Sequence, residues 1–226
     1  MPRKKPNNNS NNQNPKRSFR GVTGRGSNQK KVLRSIRGND ITLCAGPAGS
    51  GKTHLSVGAA VEYLRKGAVE KIVITRPIVQ AGERIGYLPG TAEQKLDPYL
   101  YPIFDEFSYF LDQSDILALK EDKKIEIVPL ALMRGRSFHK SFIIGDEMQN
   151  ATREQMIMFV TRMGMESKLV ISGDLTQSDL PYDTRGGFEF FLDRLVQTEG
   201  VGVCKLEKED IVRNPIIPII LGKLDA

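Results

Sequence analysis

Apolar residues in this chain fall into short continuous runs, separated by helical stripes and by clusters of glycine and proline. Six runs have the length and the Val/Ile content of buried strands: Ile41 to Ala45, Lys71 to Thr75, Ile125 to Val128, Phe142 to Gly145, Lys168 to Ser172 and Val201 to Leu206. Helical periodicity appears between them. Val32, Leu33 and Ile36 turn inward from a short helix near Gln29, and Val57, Ala60, Val61 and Leu64 share one face of Thr53 to Lys66, which Gly67 stops. A helical stretch is expected around Ile103 to Phe110. Thr152-Arg153-Glu154-Gln155 is a capping box ahead of Met156, Phe159, Val160 and Met163, and Gly187 to Val196 reads as a further helix. Strand and helix alternate, and parallel strands require such crossovers. The pattern predicts an α/β fold, a mostly parallel sheet with helices on both faces, with its ligand at the carboxyl ends of the strands.

Three stretches break the rhythm. Residues 1–28 are expected to be a tail, because Asn7 to Asn14 is low-complexity and the segment offers no core. Arg3, Lys4, Lys5, Lys16, Arg17, Arg20 and Arg25 make it basic, which suits either an arm lying along a nucleic-acid backbone or a solvated tail without a partner. Ala81 to Lys120 contains Gly82, Gly86, Pro89, Gly90, Pro98 and Pro102 and reads as an insertion; Ile216 to Leu221 is a short closing piece interrupted by Pro218. A chain of 226 residues with 39% hydrophobic content can bury one full core, so 29–226 is expected to form a single domain.

Charge and cysteine content narrow the setting. Lys and Arg number 33 against 27 Asp and Glu, a net +6 that suits a polyanionic partner without demanding one. Cys44 and Cys204 lie in apolar runs without metal-type neighbours, as expected of reduced thiols in a cytoplasmic protein. No stretch is apolar enough for a bilayer, and no secretory signal is visible, so no membrane role is expected.

The chemistry concentrates at Gly46-Pro47-Ala48-Gly49-Ser50-Gly51-Lys52-Thr53, which fits G-x-x-x-x-G-K-[ST] at every fixed position and sits between a strand and a helix. Its glycines allow positive φ, so that successive N–H groups can face phosphate oxygens, and the helix N-terminus adds positive potential. Lys52 would reach the terminal phosphates and Thr53 would hold Mg²⁺, with His54 on the helix surface beside them. Asp146 and Glu147 end an apolar strand; Asp146 is assigned to the metal and Glu147 to the attacking water. Gln177, in Gly173-Asp174-Leu175-Thr176-Gln177 at the next strand end, could touch the γ-phosphate. Arg134, Arg136, Arg162 and Arg213 are candidates for an arginine supplied to a neighbouring subunit, and the sequence does not choose among them. His54 and His139 form neither a metal pair nor a triad. Phe104, Phe107, Tyr109 and Phe110 are expected to pack a core rather than stack bases.

As a set, these motifs resemble the PhoH family of P-loop ATPases, related to superfamily 1 helicases. The phosphate loop, Thr75-Arg76-Pro77, Ala81-Gly82-Glu83, Leu88-Pro89-Gly90, Met133 to Arg136, Asp146 to Asn150 and Gly173 to Gln177 carry the likeness from Gln29 to Ile220. The resemblance implies a RecA-like core that binds ATP with Mg²⁺, assembles as a homo-oligomeric ring, with a hexamer favoured, and belongs to RNA metabolism and phosphate starvation. It further implies that Gln29 contacts adenine, that Thr75 and Arg76 grip a nucleic-acid strand, and that Arg213 belongs to a VR-x-P element. Met148, Ser178 and Arg185-Gly186-Gly187 depart from the family pattern away from the proposed hydrolytic residues. The chain has room for one RecA-like lobe, so a site shared between subunits is expected. The expected function is ATP hydrolysis coupled to movement on, or remodelling of, single-stranded RNA or DNA. The alternatives are a non-catalytic scaffold for nucleotide and RNA, and a small-molecule kinase, the latter weakened by Glu147 and Gln177.

Overall fold

Each of the six apolar runs becomes a strand: β1 Ile41–Ala45, β2 Lys71–Thr75, β3 Ile125–Ile127, β4 Ser141–Gly145, β5 Lys168–Gly173 and β6 Val201–Lys205. The computed structural model describes residues 21–77, 102–184 and 186–212, together with Ile216 and Lys223. The strands form one sheet in the order β3-β2-β4-β5-β1-β6, and every pairing among them is parallel. The architecture is the α/β RecA-like one, with helices α1 Ser27–Gly38 ahead of the first strand and α2 Lys52–Arg65, α3 at 102–107, α4 Gln113–Glu121, α5 Arg153–Val160 and α6 Gly187–Arg194 between strands.

Side-chain alternation along the strands divides the core in two. Ile72, Ile74, Phe142 and Ile144 face one way and pack with Val32, Leu55, Val61 and Phe107 from α1, α2 and α3. Val73, Ile143, Leu169 and Ile171 face the other way, against Met156 and Phe159 of α5 and Phe188 and Leu192 of α6. This two-residue period explains why the strands read as unbroken apolar runs: both faces are covered. The capping box at Thr152 is formed, with Gln155 N donating to the Thr152 hydroxyl and Gln155 returning its side-chain oxygen to Thr152 N.

Parallel register brings the carboxyl ends to one rim. Ala45 pairs with Gly173, Gly145 with Ile171, and Thr75 with Gly145. Only β5 separates β1, which feeds the phosphate loop, from β4, which feeds Asp146. Two strand spacings amount to about 10 Å, a distance a triphosphate and its counter-ion can bridge.

The packed chain begins earlier than the sequence pattern predicts. Val22 is only 4% exposed and belongs to the core, and α1 starts at Ser27, so the expected tail to residue 28 is too long. Gly58 makes the room: a Cβ there would stand 2.6 Å from both Val22 Cβ and Phe110 Cζ. Val22 is a lone apolar residue among Gly and Arg and carries no periodicity. Tyr109 also departs from its expected core position, being 73% exposed, whereas Phe107 is fully buried. Residues 1–20, 78–101 and most of the expected closing piece lie outside the described residues. Among those described, no helix is long and apolar enough to cross a membrane.

Candidate nucleotide site at the carboxyl rim

Gly49 at φ 80° and Gly51 at φ 91° carry the chain from β1 through the left-handed region into α2, a path closed to most side chains. Three distant segments brace this loop. From α1, Gln29 Nε2 donates to Ser50 O at 2.9 Å; from the end of β5, Asp174 Oδ2 accepts from Ala48 N at 3.0 Å; and Val212 N donates to Gly49 O at 2.9 Å. Lys52, buried, folds its Nζ onto Gly46 O at 2.7 Å and Pro47 O at 3.0 Å.

Opposite the loop, Asp146 is 1% exposed and accepts from Thr53 Oγ1 at 3.1 Å and Ser172 Oγ at 2.9 Å, both on Oδ1. Burial pushes its carboxyl above the usual aspartate range, against the downward pull of the Arg76 guanidinium. Glu147 sits at φ 53°, a left-handed conformation unusual for a residue with a Cβ. Its Oε1 accepts from Arg76 at 3.0 Å and its Oε2 from Gln149 Nε2 at 2.6 Å. Gln149 in turn accepts from Asp174 N at 3.0 Å, tying the carboxylates to the turn after β5.

A cleft of about 410 Å³ joins the loop to Glu147, with Thr23, Arg25, His54, Glu106 and Tyr109 around its outer part. His54 Nδ1 lies 3.0 Å from Glu106 Oε2, and the His54 and Tyr109 rings meet edge to face at 5.5 Å. A larger groove of about 830 Å³ opens beside α2 and α4, where Leu64, Val69, Leu111 and Leu119 line it. It starts from the amino ends of β2 and β3 and holds none of the phosphate-binding groups, so the smaller cleft is the candidate site.

The sequence-predicted residues divide accordingly. Gly46 to His54, Asp146 and Glu147 come together. Gln29 is in place, but its amide is engaged at both ends, since Arg25 N donates to its Oε1 at 2.8 Å. Thr75 is fully buried, with an Oγ1 that has no hydrogen-bond partner among the described residues, so its side chain cannot grip a strand in this conformation; Arg76 alone of that pair reaches the surface. The Gln177 side chain is exposed, and the amide inside the site is that of Gln149. Arg136 pairs with Glu126 at 2.6 Å and lies 4.7 Å over the Phe138 ring. Arg162 donates to Met158 O and Arg136 O, both at 3.1 Å. Arg134 is exposed and makes no hydrogen bond or ion pair among the described residues, which do not include Arg213.

Sequence reasoning passed over Gln149, Ser172, Asp174 and Tyr109 as individual contributors. Tyr109 was legible: Phe104, Phe107 and Phe110 recur every third residue on one face, and residue 109 falls off it. Among the described residues no three His, Cys, Asp or Glu side chains cluster to hold a metal by themselves. The Thr53 hydroxyl and the Asp146 carboxylate fit an ion that arrives with phosphate ligands of its own. Cys44, aligned with Cys204 on the next strand, has its thiol pushed up to about 12 by burial and then by Cys204, and is inert as a nucleophile.

Comparison with known proteins gives the chain a family. The sequence is 42% identical over 193 residues to a "PhoH-like protein" of Synechocystis, covering 85% of this chain and 59% of the relative. It is 38% identical over 197 residues to "Protein PhoH" of Escherichia coli, covering 86% of this chain and 56% of that one. The chain thus spans a little over half the length of these relatives. Among solved structures, the large terminase of a thermophilic bacteriophage superposes with a TM-score of 0.50 at 13% identity, covering 88% of this chain and 50% of that chain, a likeness of fold. Residues 21–224 match the family model described as PhoH-like protein, and the chain belongs to the PhoH family.

Proposed function

We propose that this protein binds ATP with Mg²⁺ in the cleft at the carboxyl rim, hydrolyses it, and couples hydrolysis to movement on or remodelling of single-stranded nucleic acid, RNA in the first instance, in the cytoplasm. The observation that carries the reading is the hydrogen bond from Thr53 to Asp146, which puts the phosphate-loop hydroxyl and a buried carboxylate at one point. Thr53 and Asp146 would hold the ion, which supplies charge neutralisation along the phosphates. Lys52 exchanges its two loop carbonyls for terminal phosphate oxygens, and the loop N–H groups complete the cradle. Glu147, once free of its present partners, orients the attacking water and accepts its proton. Gln149, bound to Glu147 and to the Asp174 amide, links the base to the turn that would sense the γ-phosphate. Tyr109 and His54 offer ring faces and edges to the base at the mouth of the cleft.

A ring in which one protomer completes the site of the next is part of this reading. Arg136 and Arg162 are held by contacts within their own chain, whereas Arg134 is exposed and has no hydrogen-bond or ion-pair partner among the described residues, which suits a role in trans. Phosphate release is to be measured with and without single-stranded RNA and DNA at two salt concentrations. Release is expected from the wild type, with stimulation that weakens at high salt, and is expected to vanish in Lys52→Ala and Glu147→Gln. Unchanged release in either variant would overturn the assignment.

A further inference from the structure

We infer that Arg76 is a positioning residue that couples strand binding to hydrolysis: its guanidinium holds Glu147 in an unreactive state, and a phosphodiester that captures the guanidinium sets the carboxylate free. This inference rests on the proposed ATPase function and adds the connection between its two binding events.

The geometry is specific. Arg76 lies 3.0 Å from Glu147 Oε1 and 3.6 Å from Asp146 Oδ2, so one guanidinium spans both carboxylates of the site. Gln149 occupies the other oxygen of Glu147. With a cation on one oxygen and an amide on the other, Glu147 has no oxygen turned solely to water. Its backbone is also held in a sparsely populated conformation, at φ 53°, which persists only where surrounding contacts enforce it. Arg76 is one of those contacts.

The same side chain is placed to be captured. Thr75 is buried and its carbonyl accepts from Asp146 N at 2.9 Å, which fixes the main chain before Arg76 against the main chain before Glu147. Exchange of partners therefore falls to the Arg76 side chain, which is 22% exposed at the carboxyl rim. Guanidinium forks match phosphate oxygens as well as they match a carboxylate, and a single strand at the rim presents them in series. Leaving the carboxylates for a strand phosphate exchanges one charge-assisted contact of the guanidinium for another of the same kind.

Arg76→Gln and Arg76→Lys test the coupling by phosphate release with and without single-stranded RNA, and by the salt dependence of RNA binding with a non-hydrolysable ATP analogue. In Arg76→Gln, release without RNA is expected to rise several-fold, stimulation by RNA to fall towards unity, and the slope of log affinity against log salt to drop by about 0.7, the loss of one single-strand phosphate contact. Arg76→Lys keeps a point charge without the fork and is expected to show a basal rate between those of wild type and Arg76→Gln, with reduced stimulation. It also covers the case in which the glutamine variant fails to fold. Stimulation equal to wild type in both variants, or a salt slope unchanged in Arg76→Gln, would overturn the coupling alone. Absence of release from wild type and both variants alike, with RNA or without, would overturn the ATPase reading beneath it.

Discussion

Thr53 donates its hydroxyl to Asp146 across 3.1 Å, joining residues 93 positions apart in the chain. The contact exists because β1 and β4 are parallel and flank β5, so both loops leave the sheet on the same rim. Ser172, from the end of β5 between them, adds a second hydroxyl to the same carboxylate oxygen. A charge placed this deep is costly unless cations share it.

Asp146→Asn should therefore separate stability from activity. The neutral amide removes the burial cost that raises the Asp146 carboxyl, while Arg76 keeps Glu147 as a partner. In the absence of nucleotide and metal the variant should melt higher than wild type, each kcal/mol gained corresponding to about 2–4 °C in a domain of this size. Stabilisation by Mg²⁺ and ATP should be largely lost, and phosphate release with it. Calorimetry with and without ligand decides the matter, and a variant that melts lower than wild type in the empty state would contradict the burial argument.

Tyr109→Ala tests the outer part of the cleft. If the ring supports the base, its removal costs the stacking contribution of about 1–3 kcal/mol, which is roughly a 5- to 150-fold weaker nucleotide. The loss should appear in KM rather than kcat, since the tyrosine lines the cleft with 73% of its surface exposed and neither accepts from nor donates to the carboxylates among the described residues. Tyr109→Phe should bind as wild type. Tripolyphosphate, which has no base, should compete equally well with nucleotide binding to the wild type and to the alanine variant, allowing for the affinity change. An equal loss for tripolyphosphate would instead mean that Tyr109 shapes the phosphate loop.

How much of this was written in the sequence depends on whether a feature is local. The strands were legible because both faces are covered, so apolar residues run on without interruption. The juxtaposition of the loop at 46–53 with Asp146 was legible because the motif has fixed residue types at fixed spacing between a strand and a helix. Partnerships were not: Gln29 with Ser50, Asp174 with Ala48, and Arg76 with Glu147 join segments 21, 126 and 71 residues apart. No periodicity encodes them, and they appear only when the sheet order is known. Val22 was missed for a related reason, because a single apolar residue becomes core only through the gap that Gly58 leaves on another element. Thr75 illustrates the reverse error, since a position inferred from resemblance to be in contact with nucleic acid turned out to be sealed in the sheet.

Arg136 and Glu126 give a pH-dependent stability test away from the cleft. Burial raises the Glu126 carboxyl, but hydrogen bonds from Arg136 and Lys71 outweigh it and hold the group below the ordinary glutamate value. A depressed carboxylate contributes stability above its unfolded pKa and loses it as pH falls through the folded one. Arg136→Ala should therefore lower the melting temperature near neutrality, by the few degrees that about 1 kcal/mol represents for a partly exposed pair. The difference from wild type should shrink on acidification through the carboxylate range. A gap that is constant across that range would assign the loss to the contact of Arg136 with the Phe138 ring instead.

Arg134 carries the expectation of a shared site. It follows the short turn Leu130–Met133 beyond β3, the strand at one edge of the sheet, whereas the phosphate loop follows β1 near the other edge, and both lie on the carboxyl rim. A head-to-tail contact between copies brings one edge against the other, and a rotation that closes makes a ring. Leu132, 65% exposed beside Arg134, offers an apolar contact to such a neighbour. Arg134→Ala should keep nucleotide affinity and lose phosphate release by about 10³-fold or more, as removal of a trans-acting arginine does. Lys52→Ala protomers are dead for a different reason and still present Arg134. Mixed in equal amounts, the two variants should regain about a quarter of wild-type release, because a quarter of randomly assembled interfaces join an intact loop to an intact arginine. An arginine acting within its own chain predicts no recovery at any ratio, so a flat mixing curve would remove Arg134 from the shared site.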